Sequence, residues 1–108
     1  SLLHQQAREK LQAAQLLFDQ HLLSSALDLA LAALLSAAAD KAGRNLPFSQ
    51  AEIAVWACAE ALPQGILNQE QIGLLLRAVS FAQADTAPPE LVHNLLDDAA
   101  RFIDSLGE

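Results

Sequence analysis

Apolar residues recur at helical spacing almost from the first position of this chain. Leu3, Ala7, Leu11, Ala14 and Phe18 are separated by 4, 4, 3 and 4 residues. That is one continuous stripe on a helix whose opposite face carries Gln5, Arg8, Gln12 and Gln15. The pattern predicts a first helix from Leu2 to about Gln20. Ser24 and Ser25 offer N-caps for a second helix reaching about Ala42, with Gly43 as its C-cap. This second segment, Ala26 to Leu35 above all, is apolar nearly all round, as befits the centre of a bundle or a subunit interface.

The second half follows the same grammar. Arg44 to Phe48 form a connection closed by Pro47. Ser49-Gln50-Ala51-Glu52 then has capping-box spacing and opens a third helix to about Leu62, where Pro63 and Gly65 stop it. Asn68-Gln69-Glu70-Gln71 repeats that logic for a fourth helix to about Ala84, with Ile72, Leu75, Leu76, Val79 and Ala82 on its apolar side. Thr86-Ala87-Pro88-Pro89-Glu90 opens a fifth, since proline suits the first helical turn. Leu91, Leu95, Ala99, Phe102 and Leu106 are expected to line its buried face, and Asp97 to pair with Arg101 one turn later. No segment sustains strand-like alternation. The fold expected is all-α: one domain spanning residues 1–108, an up-and-down antiparallel bundle of about five helices.

Composition sharpens this picture. Leucine and alanine dominate, and 53% of the 108 residues are hydrophobic, enough for one core and too short a chain for two. The longest apolar run, Ala26 to Ala39, is broken by Asp28 and Ser36 and reads as a buried helix rather than a membrane span. The net charge is −7 and the six cations, Arg8, Lys10, Lys41, Arg44, Arg77 and Arg101, are scattered. Nucleic-acid surfaces cluster their cations to displace counterions from phosphates, so direct nucleic-acid binding is not expected. A single cysteine, Cys58, fits a reducing cytoplasm and reads as a buried, inert thiol. The chain contains no methionine, which suggests a domain cut from a longer protein, with Ser1 a cloning remnant.

Read end to end, the organisation resembles the HEPN family of helical bundles. The resemblance rests on Ala7-Arg8-Glu9-Lys10-Leu11-Gln12-Ala13-Ala14-Gln15-Leu16-Leu17-Phe18, followed after a short break by Ser25-Ala26-Leu27-Asp28-Leu29-Ala30 and the small-residue stretch Ala32 to Ala38. It continues through Gln64-Gly65-Ile66-Leu67, Leu75-Leu76-Arg77-Ala78 and Phe81-Ala82-Gln83-Ala84-Asp85. It ends on Leu95-Leu96-Asp97-Asp98-Ala99-Ala100-Arg101-Phe102-Ile103. HEPN proteins that cut RNA use an arginine followed by a histidine about a helical turn downstream, the first to hold phosphate and the second to move a proton. Here Phe81 occupies the arginine's place and Thr86 that of the tyrosine often found in the motif. No catalytic residue is therefore expected. The resemblance implies a non-catalytic interaction or regulatory domain of a larger nucleic-acid-linked enzyme, a helicase-type ATPase or nucleotidyltransferase system, and an association with a protein partner, the rest of a parent chain or a second copy.

Two alternatives stand beside it. A divergent HEPN ribonuclease or toxin subunit would have to rely on Arg77 and His93. A helical-repeat adaptor would need several similar units, and the second half does not repeat the first. His4, His21 and His93 have no cysteine or carboxylate in a ligand pattern beside them and read as surface or helix-end residues, so no metal or cofactor is expected. Asp97 and Asp98 read as a solvated acidic face. Leu31, Leu34, Leu35 and Trp56 are read first as core, with the alternative that part of this face forms a symmetric dimer or receives a partner helix. Those four are the candidate interaction surface.

Overall fold

The structure, a computed structural model, describes residues 1–84 and 87–106. The expectations placed on Asp85 and Thr86 lie outside the described residues. Among the described residues there are five α-helices: α1 (Leu2–Asp19), α2 (Leu23–Lys41), α3 (Gln50–Trp56), α4 (Gln69–Gln83) and α5 (Pro89–Leu106). A π-helical turn, Ala57–Ala61, continues α3.

Four of these helices form an up-and-down bundle. Ser1 bonds Asp40, so α1 and α2 run antiparallel. Arg8 reaches Asp104 at 2.9 Å and Phe18 meets His93 at 5.8 Å, so α1 and α5 run antiparallel too. Arg77 bonds Asp98 at 2.9 Å, and Asn68 and Gln71 at the start of α4 line one groove with Phe102 and Ser105 at the end of α5, so this pair runs antiparallel as well. α3 lies in the connection between α2 and α4, on the flank of this bundle.

The core belongs above all to α2, where Ala26, Leu27, Ala30, Leu31, Ala33, Leu34, Ser36, Ala37, Ala38 and Ala39 are buried. Its alanines let α1 approach closely, and on α1 the predicted stripe of Leu3, Ala7, Leu11 and Ala14 is buried with Phe18 packed at its end. α2 is long and apolar enough, by length and composition alone, to cross a bilayer. Its 19 residues span roughly 28 Å. Of its most apolar window, 56% is buried inside the bundle, the environment its nearly all-round apolar surface requires.

Helix ends follow from local chemistry. Both capping boxes form: the Ser49 hydroxyl accepts from the Glu52 N–H at 3.1 Å while the Ser49 N–H donates to the Glu52 carboxylate at 2.9 Å. Asn68 and Gln71 exchange the same pair of bonds at 2.8 and 2.9 Å. α2 closes on Gly43 at φ +75°, with Arg44 N–H to Ala39 C=O and Gly43 N–H to Asp40 C=O, the Schellman pattern. α1 closes in the same way, but His21 holds the left-handed position at φ 63°, and Leu22 N–H reaches Leu17 C=O at 2.9 Å. The α2 N-cap position then falls on Leu22, with no side-chain cap, rather than on Ser24 or Ser25.

The α3 end differs most from simple periodicity. Pro63 has no N–H to donate and its ring crowds the carbonyl four residues back. The chain widens, and Leu62 N–H bonds Ala57 C=O at 2.9 Å, a π-type bond. Ala57 and Ala61 are both buried beneath Ile53 and Trp56, and Gly65 at φ +69° ends the turn.

Two buried faces are also shifted from expectation. On α4, Leu74 and Ala78 are buried with Ile72 and Leu75, while Leu76 is partly exposed. On α5, Val92, Leu96 and Ile103 are buried with Leu95, Ala99 and Phe102. Leu91 faces solvent there, and Leu106 is half-buried. α5 sits against α1, α2 and α4 at once, so its apolar face is wider than a single stripe.

Candidate functional site

Leu31, Leu34, Leu35 and Trp56 do not make an interaction surface in this fold. Leu31 is 6% exposed, Leu34 0% and Trp56 8%, and Leu35 is half-buried against the same core. α2 is enclosed by α1, α4 and α5, and the Trp56 ring packs on Phe48 with centroids 4.8 Å apart. Phe48 is itself pinned by a backbone bond to Leu35 at 3.3 Å and covered by the Arg44 guanidinium. The all-round apolar character of α2 is spent on the interior.

The apolar surface that remains open lies elsewhere. At the end of the bundle where α1 turns into α2 and α4 ends, Leu16, Leu22 and Leu91 are 62%, 52% and 44% exposed. At this turn end a cavity of about 230 Å³ opens between the start of α2 and the end of α4. Leu23 and Leu27 line one wall, Phe81 and Ala82 the other, with Ser24, Ala84 and Ala87 completing the lining. Leu23 and Phe81 are each half-buried. Cavities of this kind, apolar and open, are where a ligand or partner side chain gains most from leaving water.

Charge around this end is one-sided. No Lys or Arg occurs in residues 11–40 or 78–100. Asp19, Asp28 and Glu90 are exposed there. Arg77, one turn before Phe81, is engaged by Asp98, and His93 lies beside Asp97 at 3.3 Å.

A second apolar exposure follows α3, with Val55 68% and Leu62 38% exposed. Cys58 is exposed on the same helix, contrary to its expected burial. Ala57 and Ala61 are buried, while Cys58 faces out.

A polar groove of about 280 Å³ runs between α4 and α5. Asp98 sits in it and takes both Arg77 and Arg101. The Asp97–Arg101 pair expected at i,i+4 is thus replaced by Asp98–Arg101 at i,i+3, since Asp98 faces the α4 seam where Arg77 arrives. Asp98 is accordingly an interhelical tie rather than a solvated acid. Leu74 and Phe102 supply its apolar lining, and Glu70 lines it as well. With both carboxylate oxygens of Asp98 engaged by guanidinium groups, the groove joins two helices and holds no free base at Asp98. Partly exposed ion pairs of this kind contribute about 0–1 kcal/mol each.

The residues a ribonuclease reading would need are held apart. Arg77 is fixed at the α4–α5 seam by Asp98, while His93 leans toward α1 against Phe18. His21 is exposed at a helix end. His4 receives the Arg8 Nε–H on its Nε2 at 3.0 Å, while its Nδ1 is buried without a partner. Among the described residues no group of three or more His, Cys, Asp or Glu side chains is placed to hold a metal ion. Among the described residues, the one carboxyl that is clearly perturbed is structural. The Ser49 backbone N–H, the Ser49 hydroxyl and then Arg44 hold the Glu52 carboxyl below its ordinary value. Comparison with protein-family models, with characterised proteins and with solved structures gives no match.

Proposed function

We propose that this chain is a non-catalytic interaction domain, a HEPN-like helical bundle that serves a larger nucleic-acid-linked system of the helicase-type ATPase or nucleotidyltransferase kind in the cytoplasm. The single observation that supports it is the turn end, where Leu16, Leu22 and Leu91 are exposed and a cavity opens between α2 and α4. A fold that buries the centre of α2 yet leaves this end open has a surface suited to a protein partner or to the remainder of a longer chain. The acidic balance agrees with a protein partner rather than a phosphate backbone. The HEPN link comes from the sequence pattern alone.

The test is isolation of the endogenous protein under cross-linking conditions, with every linked chain identified, alongside an RNA-cleavage assay of the purified domain. The expected result is one recurrent partner, or a longer parent chain, together with intact RNA. RNA cleavage abolished by Arg77→Ala or His93→Ala would overturn the proposal in favour of a divergent ribonuclease.

A further inference from the structure

We propose that the cavity at the turn end receives the apolar anchor of a cationic amphipathic helix. The inference rests on the interaction reading above and names the partner's chemistry. Leu23, Leu27, Phe81 and Ala82 enclose about 230 Å³, room for a leucine or phenylalanine side chain but not for a whole helix. The partner must therefore lie across the mouth and insert single residues, as helices do when their anchors recur at i, i+3 or i+4. Leu22, 52% exposed beside the cavity, supplies apolar surface at the rim.

The charge of the occupant follows from the end of the bundle at which the cavity opens. Asp19, Asp28 and Glu90 are exposed at this end, and the segments that build it contain no Lys or Arg. A helix with lysines or arginines flanking its anchor meets complementary potential, which speeds association and selects against wrong partners. A second copy of the chain would bring the same acidic end and a net charge of −7, so apposed copies repel. An anionic lipid surface is disfavoured on the same ground.

The probe is a labelled amphipathic Leu/Lys peptide, with a Leu/Glu peptide of the same length and apolar pattern as its counterpart, titrated into the full chain. The Leu/Lys peptide is expected to bind and the Leu/Glu peptide to bind at least about tenfold more weakly. Ser24→Trp, which blocks the mouth from an exposed position, and Ala82→Leu, which fills the wall, are each expected to weaken the Leu/Lys peptide about tenfold, the scale of one lost apolar anchor. Val55→Ser on α3 is expected to leave binding unchanged. Circular dichroism verifies that each variant is folded, and Ser24→Trp keeps the test decisive if Ala82→Leu is not.

Equal binding to wild type and Ser24→Trp overturns the proposal, as does weakening by Val55→Ser. Self-association in sedimentation that Ser24→Trp removes makes the occupant a second copy and overturns it as well. Co-sedimentation with phosphatidylserine vesicles that Ser24→Trp removes overturns it in favour of a membrane. If the peptide fails while the endogenous partner cross-links to another face, this inference falls and the interaction reading stands. RNA cleavage that depends on Arg77 and His93 removes both.

Discussion

Ser36 is the one buried polar side chain of the core, fully enclosed on α2, and its hydroxyl has no hydrogen-bond partner among the described residues. An unpaired buried hydroxyl costs free energy that an alanine of nearly the same shape does not. Ser36→Ala is therefore expected to stabilise the fold by about 1 kcal/mol, read as a higher urea midpoint at unchanged slope. Leu34, also fully enclosed, lies two residues away and behaves in the opposite sense. Leu34→Ala should destabilise by about 3 kcal/mol, the transfer cost plus the cavity left in a packed interior. Loss of less than half of that would mean that the centre of α2 repacks easily, and so is not the rigid core described above.

At the scale of elements, caps and stops decide where helices end. The Glu52 carboxyl, held below its ordinary value of 4.5 chiefly by the Ser49 N–H, ties the first turn of α3 together. A depressed carboxyl pKa in the folded state gives stability that is present above the unfolded value and is lost as pH falls through the folded one. The stability gap between wild type and Glu52→Gln should therefore be full at neutral pH and close in acid. A gap that is constant with pH would contradict this. Ser49→Ala removes the hydroxyl cap and should cost about 1 kcal/mol.

The same caps show what the sequence discloses and what it hides. Ser49, Asn68 and Gly43 carry local signals and were readable, because capping depends on neighbours within four residues. The end of α1 was hidden, because His21 occupies the left-handed site usually given to glycine. Cys58 was misplaced because a place in the middle of a helix does not say which face turns to solvent. Leu74 in place of Leu76, and Asp98 in place of Asp97, depend on which neighbour each helix face meets, and one helix's spacing does not contain that information.

For the whole molecule, the bundle and its apolar central helix were legible, since an all-round apolar helix requires enclosure. The turn-end cavity was not, because its walls come from segments more than fifty residues apart in sequence, Leu23 to Leu27 and Phe81 to Ala82. The expected surface of Leu31, Leu34, Leu35 and Trp56 failed on this point: apolar character marks a residue for burial without saying whether the cover is the same chain or another. What the fold leaves uncovered is the better guide to a partner.

The most direct measurement is carbodiimide cross-linking of the endogenous complex, which joins carboxylates to lysine amines at contact, followed by peptide mapping. Links from Asp19, Asp28 or Glu90 to lysines of one partner chain are the expected result. Links confined to Glu52, Glu60 and Glu70, around α3 and the start of α4, would place the partner on the other exposure and contradict the turn end as the interaction surface.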